Sequence, residues 1–323
     1  MSKTYHNIIT SMLLFFIYRR AAMAQKPNVE FVPYGDMDNW LVRNITESAI
    51  IGGQTKKLYE IAPKGEVTGA KAYSNAGGSP WATSNVLATV SGIIKTNTTV
   101  FPEPRGNGYC ARLETKIEKC VVLGIVDIKV LAAGSVFLGN MHEPIKNTSN
   151  PQSKLSSGIP FTKKPVSLIF DYKVKLSGEE NRVKQTGFSK PSTVKGVDMP
   201  MVCLYLQKRW EDAGGNIFAK RVGTMAIRFD KTTGWINQAQ CKILYGDISG
   251  RKDFKSYMGL VPYTDPQYAV NSTGKSVPIR EMAWGTENDE VTHVVLQFAS
   301  SHGGPYIGSP GNTLWIDNVK FGY

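Results

Sequence analysis

Glycine and proline interrupt this chain before any apolar run can lengthen. There are 31 Gly and 17 Pro in 323 residues, and the stretches between them are short. VSLIFDYKVKLSG, MVCLYLQKRW, GTMAIRFD, QCKILYG, THVVLQFASS and NTLWIDNVKFGY favour a period of two. That period sends successive side chains to opposite faces of a strand. Apolar stripes at helical spacing are nearly absent, and the best helical segment, SNVLATVSGII, is short and ends near a glycine. Many short strands separated by turn residues specify an all-β sandwich or barrel. No internal repeat or low-complexity linker divides the chain. The polar stretch GEENRVKQTGFSKPSTVKGVDMP, from Gly178 to Pro200, is long enough to cover one end of a sandwich.

The N-terminus reads as a targeting segment. Lys3, the apolar stretch IITSMLLFFIY and the small residues Ala22 and Ala24 predict a signal peptide over 1–24, with 25–323 as the mature chain. The apolar core is too short to span a membrane, and no later run approaches the length of a transmembrane helix. A secreted, periplasmic or cell-surface location is therefore expected, with no transmembrane segment. Net charge is +12, and +9 once Lys3, Arg19 and Arg20 are removed. Basic residues never run beyond pairs and alternate with apolar ones, as on solvated strand faces, so no nucleic-acid partner is expected. Four cysteines remain: Cys110, Cys120, Cys203 and Cys241. An oxidising compartment permits disulfides, with three pairings. Each cysteine also sits in an apolar run where a free buried thiol serves equally well. No C-x-x-C spacing supports zinc or redox chemistry. The sequons at Asn44, Asn97, Asn147 and Asn271 matter only in a eukaryotic host.

Five stretches come in a familiar order: SPWATSN (79–85), GYCARLET (108–115), AAGSVFLGN (132–140), SGIPFTKKPVSLIFDYKVK (157–175) and SSHGGPYIGSPGNTLWIDNVKFGY (300–323). Together they resemble the putative carbohydrate metabolism domain family of Bacteroidetes, from about Asp36 to the last residue. The resemblance implies a β-sandwich of jelly-roll type filling 25–323, secreted and associated with glycan use, with a pocket for oligo- or polysaccharide. Family members often carry an immunoglobulin-like domain in front, and none is expected here, since the first motif-like segment, GDMDNWLVRN, starts about ten residues into the expected mature chain. The family's activity is itself poorly defined, so the chemistry rests on individual residues.

A sugar site needs aromatic platforms and planar polar groups on a concave surface. Trp81 and Asn85 lie in a polar, glycine-flanked context with Thr83 and Ser84. If Ala111 and Leu113 face the core, Arg112 and Glu114 share the opposite face, where Arg112 would hold Glu114 ionised. Asp171 and Tyr172, with Lys173, form a polar triplet after an apolar run, and Tyr205 alternates against Leu204 and Leu206. These seven, Trp81, Asn85, Arg112, Glu114, Asp171, Tyr172 and Tyr205, are the candidate ligand-binding residues. Each also has a bland reading as a core anchor or a surface ion pair. Catalytic residues are not assigned. A glycosidase needs two carboxylates at set separations, and only a pair from distant strands, such as Glu114 with Asp171, would serve. No closely spaced acidic motif, G-x-S-x-G, P-loop or H-E-x-x-H is present. Glycan binding without catalysis is the first reading, a glycoside hydrolase the second, and a structural or fimbria-like surface protein the third. No spare terminal strand favours that third reading.

The final strand poses a separate question. In GNTLWIDNVKFGY, strict alternation puts Asp317 on one face with Trp315, Val319, Phe321 and Tyr323. A carboxylate there needs donors, a cation or water, unless a bulge near Asp317 and Asn318 turns it outward. No cofactor is required by the sequence. In many jelly-roll carbohydrate modules, however, the first and last strands meet at a structural calcium. Asp36 and Asp38 with Asp317 are the candidate ligands here. The alternative is that Asp317 accepts backbone N–H bonds at a bulge or pairs with a cation across the sheet.

Overall fold

The computed structural model describes residues 28–75, 78–122, 126–147, 150–187 and 189–323. The expected signal peptide lies outside them. Among the described residues, no helix is long and apolar enough to cross a membrane.

Eight strands form the central sandwich: β1 (Gly108–Val122), β2 (Ser135–Met141), β3 (Ser167–Lys175), β4 (Met201–Glu211), β5 (Ile217–Arg228), β6 (Thr233–Lys242), β7 (His293–Ala299) and β8 (Thr313–Gly322). One sheet has the order β1-β8-β3-β6 and the other β2-β7-β4-β5, with every neighbour antiparallel. The chain changes sheet at each step except the β4–β5 hairpin. That is the double Greek key of a jelly roll, as the sequence pattern and the resemblance imply. The first described strand, Val29–Phe31, pairs with the end of β8 beyond the point where β1 leaves off.

The period of two explains the core. Ala111 and Leu113 on β1, Leu168, Phe170 and Val174 on β3, and Leu204 and Leu206 on β4 point between the sheets, with Val294, Leu296 and Phe298 on β7. Phe170 meets Phe298 edge-on at 5.2 Å between ring centres. Each of the larger side chains contributes about 1.5–3 kcal/mol when fully buried.

On β8 the strict alternation fails. Leu314 and Ile316 point inward, Asn318 adopts a positive φ of 54°, and Val319 and Phe321 point inward again. The β3–β8 ladder slips its register between Ile169 and Asp171 at the same place. The extra residue of this bulge reverses the facing, so Trp315 and Asp317 lie on the outer face. The expectation that they share the face of Val319 and Phe321 is overturned. The Val319 amide donates to the Gly35 carbonyl at 2.8 Å, and a Cβ at Gly35 would sit 2.6 Å from the Val319 carbonyl oxygen.

The segment SNVLATVSGII is no helix. Val86–Val90 and Ile93–Asn97 form a hairpin, with Ser91 and Gly92 both at positive φ. That is the two-residue turn whose twist suits a hairpin. Its Leu87 packs with Ile45 and Leu58, which belong to a small sheet of Trp40–Thr46, Thr55–Ile61 and Gly65–Thr68. The polar stretch after Gly178 is itself structured. Asn181–Lys184 pairs with Ser192–Lys195 and Ile307–Gly308, and Thr186–Gly187 pairs with the strand Val126–Ala133. All four cysteines are free. Burial pushes the Cys203 and Cys241 thiols up to about 11.

Candidate functional site

The seven residues named from sequence do not form one pocket. Trp81 is 1 % exposed, and its indole N–H donates to the Pro33 carbonyl at 2.8 Å. It offers no face to a sugar. Asn85 is equally buried. Its amide nitrogen donates to the Tyr59 and Val100 carbonyls at 2.8 Å each, and its oxygen accepts from the Thr99 and Val100 amides. Every bond that it can make is internal. Tyr172 lies on the core side of β3, packed on Phe170 and Phe229. Tyr205 is on the outer face of the second sheet, in a cluster with Cys203, Met258 and Val295, and the Arg221 guanidinium lies 3.5 Å from its ring centre. Burial pushes its phenol far above the ordinary range.

Arg112, Glu114 and Asp171 do share a surface, the outer face of the first sheet. Arg112 bonds Glu114 at 2.5 Å and Glu103 at 3.1 Å, and sits 4.4 Å over Phe101. The Lys173 ammonium lies 3.9 Å over Trp315, whose indole N–H donates to Glu103. Arg105, at the tip of the hairpin from Val100–Arg105 into β1, stacks 3.8 Å over Trp235 of β6. It also bonds Asp171 at 2.9 Å, Asp317 more closely still, and Asn237. In a flat sheet its strand would stand about 19 Å from β6, farther than an arginine reaches, so the sheet curls. On this face the charged groups are spent on one another and cations cap the indoles. Glu114 and Asp171 are not a catalytic pair. Glu114 is opposite Thr313 and Asp171 opposite Asp317, so about 13 Å of strand separates them before any lateral offset, beyond either glycosidase spacing.

Asp317 is thus held by the two means that need no metal. It accepts the Asn318 amide at 2.7 Å in the bulge and pairs with Arg105. Burial nevertheless pushes it up to about 6, against the pull of Arg105 and with the Asp171 charge adding to the rise. Burial also raises Asp171. There the Gln238 amide, Asn318 and Arg105 together outweigh it and hold that carboxylate below its usual range. Asp38 accepts the Tyr109 amide at 2.7 Å, and Asp36 accepts the Asp38 amide. Among the described residues no three His, Cys, Asp or Glu are grouped as a metal site, so the set of Asp36, Asp38 and Asp317 is not assembled.

An open concave surface lies elsewhere, beyond β5. Strand Ser276–Trp284 runs parallel to β5, and Tyr268–Val270 pairs on its far side. A cleft of about 450 Å³ opens there, lined by Asn150, Gln152, Tyr263, Asp265, Tyr268 and Pro278 among others. Its volume falls in the range of small-ligand sites. A chain of buried contacts presents Tyr263. Arg221 and Glu281 form an ion pair with almost no solvent exposure, and Glu281 accepts the Val261 amide at 2.7 Å. Met258 anchors the same loop in the cluster around Tyr205. Tyr263 is thereby fixed at its base, yet 66 % exposed. The Asn150 amide donates to the Tyr268 hydroxyl at 2.9 Å, closing the opposite wall.

An aromatic row leads to this cleft. Trp210 is opposite Phe218, and Phe218 is opposite Arg280, along one rung of β4, β5 and the strand Ser276–Trp284. Trp210 and Phe218 stack at 5.8 Å and 20°, and the Arg280 guanidinium lies between Phe218 and Tyr263. Buried Arg280 Nε and Gln267 Oε1 have no hydrogen-bond partner. Sequence reading missed this site. Its residues come from segments more than a hundred positions apart, and Tyr263 in LVPYTDP carries no local signal beyond a tyrosine among turn residues.

Two of the solved structures that resemble the chain come from Bacteroides. One is a putative glycoside hydrolase from Bacteroides thetaiotaomicron VPI-5482, with TM-score 0.45 and 19% identity, covering 87% of this chain and 70% of that one. The other is a putative glycoside hydrolase from Bacteroides vulgatus ATCC 8482, with TM-score 0.40 and 14% identity, covering 91% and 94%. No curated protein matches the chain. Residues 54–213 match the family model described as putative carbohydrate metabolism domain, a span that takes in two of the three strands of the small N-terminal sheet and the sandwich through β4. This match bears out the resemblance to the putative carbohydrate metabolism domain family over those residues.

Proposed function

We propose that this protein binds a glycan in the cleft between Tyr263 and Tyr268, without cleaving it there. The observation that carries the reading is the lining itself: two tyrosines, amide side chains and one carboxylate, Asp265. Tyrosine rings receive the apolar faces of pyranoses, and amides and a carboxylate receive hydroxyls. Hydrolysis takes two carboxylates at a set spacing, and the lining supplies one. The family match supports a carbohydrate role, and the N-terminal segment supports a place in the periplasm or at the cell surface.

A glycan array, followed by product analysis on each hit, tests this. Tyr263→Ala should cost on the order of 2 kcal/mol, about thirtyfold in affinity, with no new reducing ends released. If Trp235→Ala abolished binding while Tyr263→Ala did not, the ligand would lie on the curled face of the first sheet. Released sugar would establish a hydrolase.

A further inference from the structure

A second cleft of about 790 Å³ has Met282, Trp284, Asp247 and Glu287 among its lining residues. Two segments of chain run past both. Leu260 lines the second cleft and Tyr263, three residues on, lines the first. Pro278 lines the first cleft and Met282 the second, about 13 Å along the same strand. Met282, on the side of the second cleft, is 60 % exposed. The charge of this surface is opposite to that of the molecule. Net charge is +12, yet Asp265, Asp247 and Glu287 line the two clefts; no lysine or arginine is among the lining residues, and Arg280 beside the first is taken up by Phe218 and Tyr263.

We propose that the ligand is an extended, neutral polysaccharide chain spanning both clefts, rather than a single sugar or an acidic glycan. This rests on the proposed glycan-binding reading and deepens it. The first cleft alone is the size of a small-ligand site, and the segments 260–263 and 278–282 lead from it to the second. A chain passing over Met282 engages Tyr263 at one end and Trp284 at the other. Its uncharged units avoid the three carboxylates, which would repel uronates or sulfates.

Calorimetric titration with xylo-, cello- and manno-oligosaccharides of two and six units, and with a six-unit oligogalacturonate, decides this. A bound neutral hexamer should exceed its dimer by at least tenfold in affinity, and the oligogalacturonate should bind at least tenfold more weakly than that hexamer. Trp284→Ala should bring the hexamer down to the affinity of the dimer. Because Trp284 packs partly on the cluster around Tyr205, Thr286→Trp provides a second test, filling the second cleft from an exposed position; it should have the same effect. Equal affinity for dimer and hexamer would overturn the proposal and leave the single-cleft reading standing. So would a hexamer advantage that survives both variants, or tighter binding of oligogalacturonate. No binding of any probe would overturn both.

Discussion

Asp317 ties the bulge of β8 to the hairpin tip through Arg105, and its titration makes that arrangement measurable. Burial raises its pKa from 3.8 to about 6 in the fold. A carboxyl whose folded pKa exceeds its unfolded value gives stability that is fully present below the unfolded pKa and is lost as pH rises through the folded one. The shift is about two units at 1.36 kcal/mol each, so ionising Asp317 between pH 4 and pH 7.5 should cost at most about 3 kcal/mol. Glu60 adds a loss of the same sign at higher pH, since burial pushes it up to about 8 against the pull of Arg43. Comparing wild type with Asp317→Asn removes that common slope. Urea unfolding of both proteins at half-unit steps from pH 4 to 7.5 should show wild type falling relative to the variant, mostly between pH 5 and 7. Asp171 is held below its usual range, so its own change falls under this window. A difference that stays flat, or one that favours wild type as pH rises, would mean that Arg105 fully compensates the buried charge, and the reasoning would fail.

Arg43 bonds Glu60 at 2.8 Å and Glu143 at 2.6 Å, with all three side chains almost fully buried. Arg43→Met should therefore destabilise by about 3–5 kcal/mol, because it leaves two buried carboxylates uncompensated; a thermal scan matching wild type would contradict this. Trp81→Ala should cost about 3–5 kcal/mol as a core deletion, with glycan affinity per folded molecule unchanged, and a loss of affinity without a loss of stability would return Trp81 to the site. Melting temperatures in calcium and in chelator should coincide, because Asp38 is engaged by the Tyr109 amide and Asp317 by Arg105; a rise with calcium would show a site that the side chains form only around the ion.

The sandwich was legible because its signal is local and repeated. Alternation in VSLIFDYKVK and MVCLYLQKRW assigns Phe170 and Leu204 to the core correctly, and the same rule placed Arg112 and Glu114 on the opposite face. The rule misled where one residue broke the period. Asn318 at positive φ reverses the facing after Asp317, and a bulge leaves little trace in composition. Ser91 and Gly92 turn a helix-like string into a hairpin for a similar reason: the turn depends on two dihedral angles, not on the apolar pattern around it. Tyr205 fails differently. It does face away from the core, but the cluster with Met258 and Ile248 buries that face, and such coverage comes from residues distant in sequence. The cleft was illegible on the same ground, since Asn150, Tyr263 and Pro278 meet only through the tertiary fold.

Hydrogen–deuterium exchange with and without a saturating glycan hit locates the ligand without mutation. Bound glycan should slow exchange in residues 260–270 and 276–284, leaving the first sheet's face unchanged. Protection confined to 101–116 and 233–242 would place the ligand over Trp235 and Arg112 and contradict the assignment of the cleft.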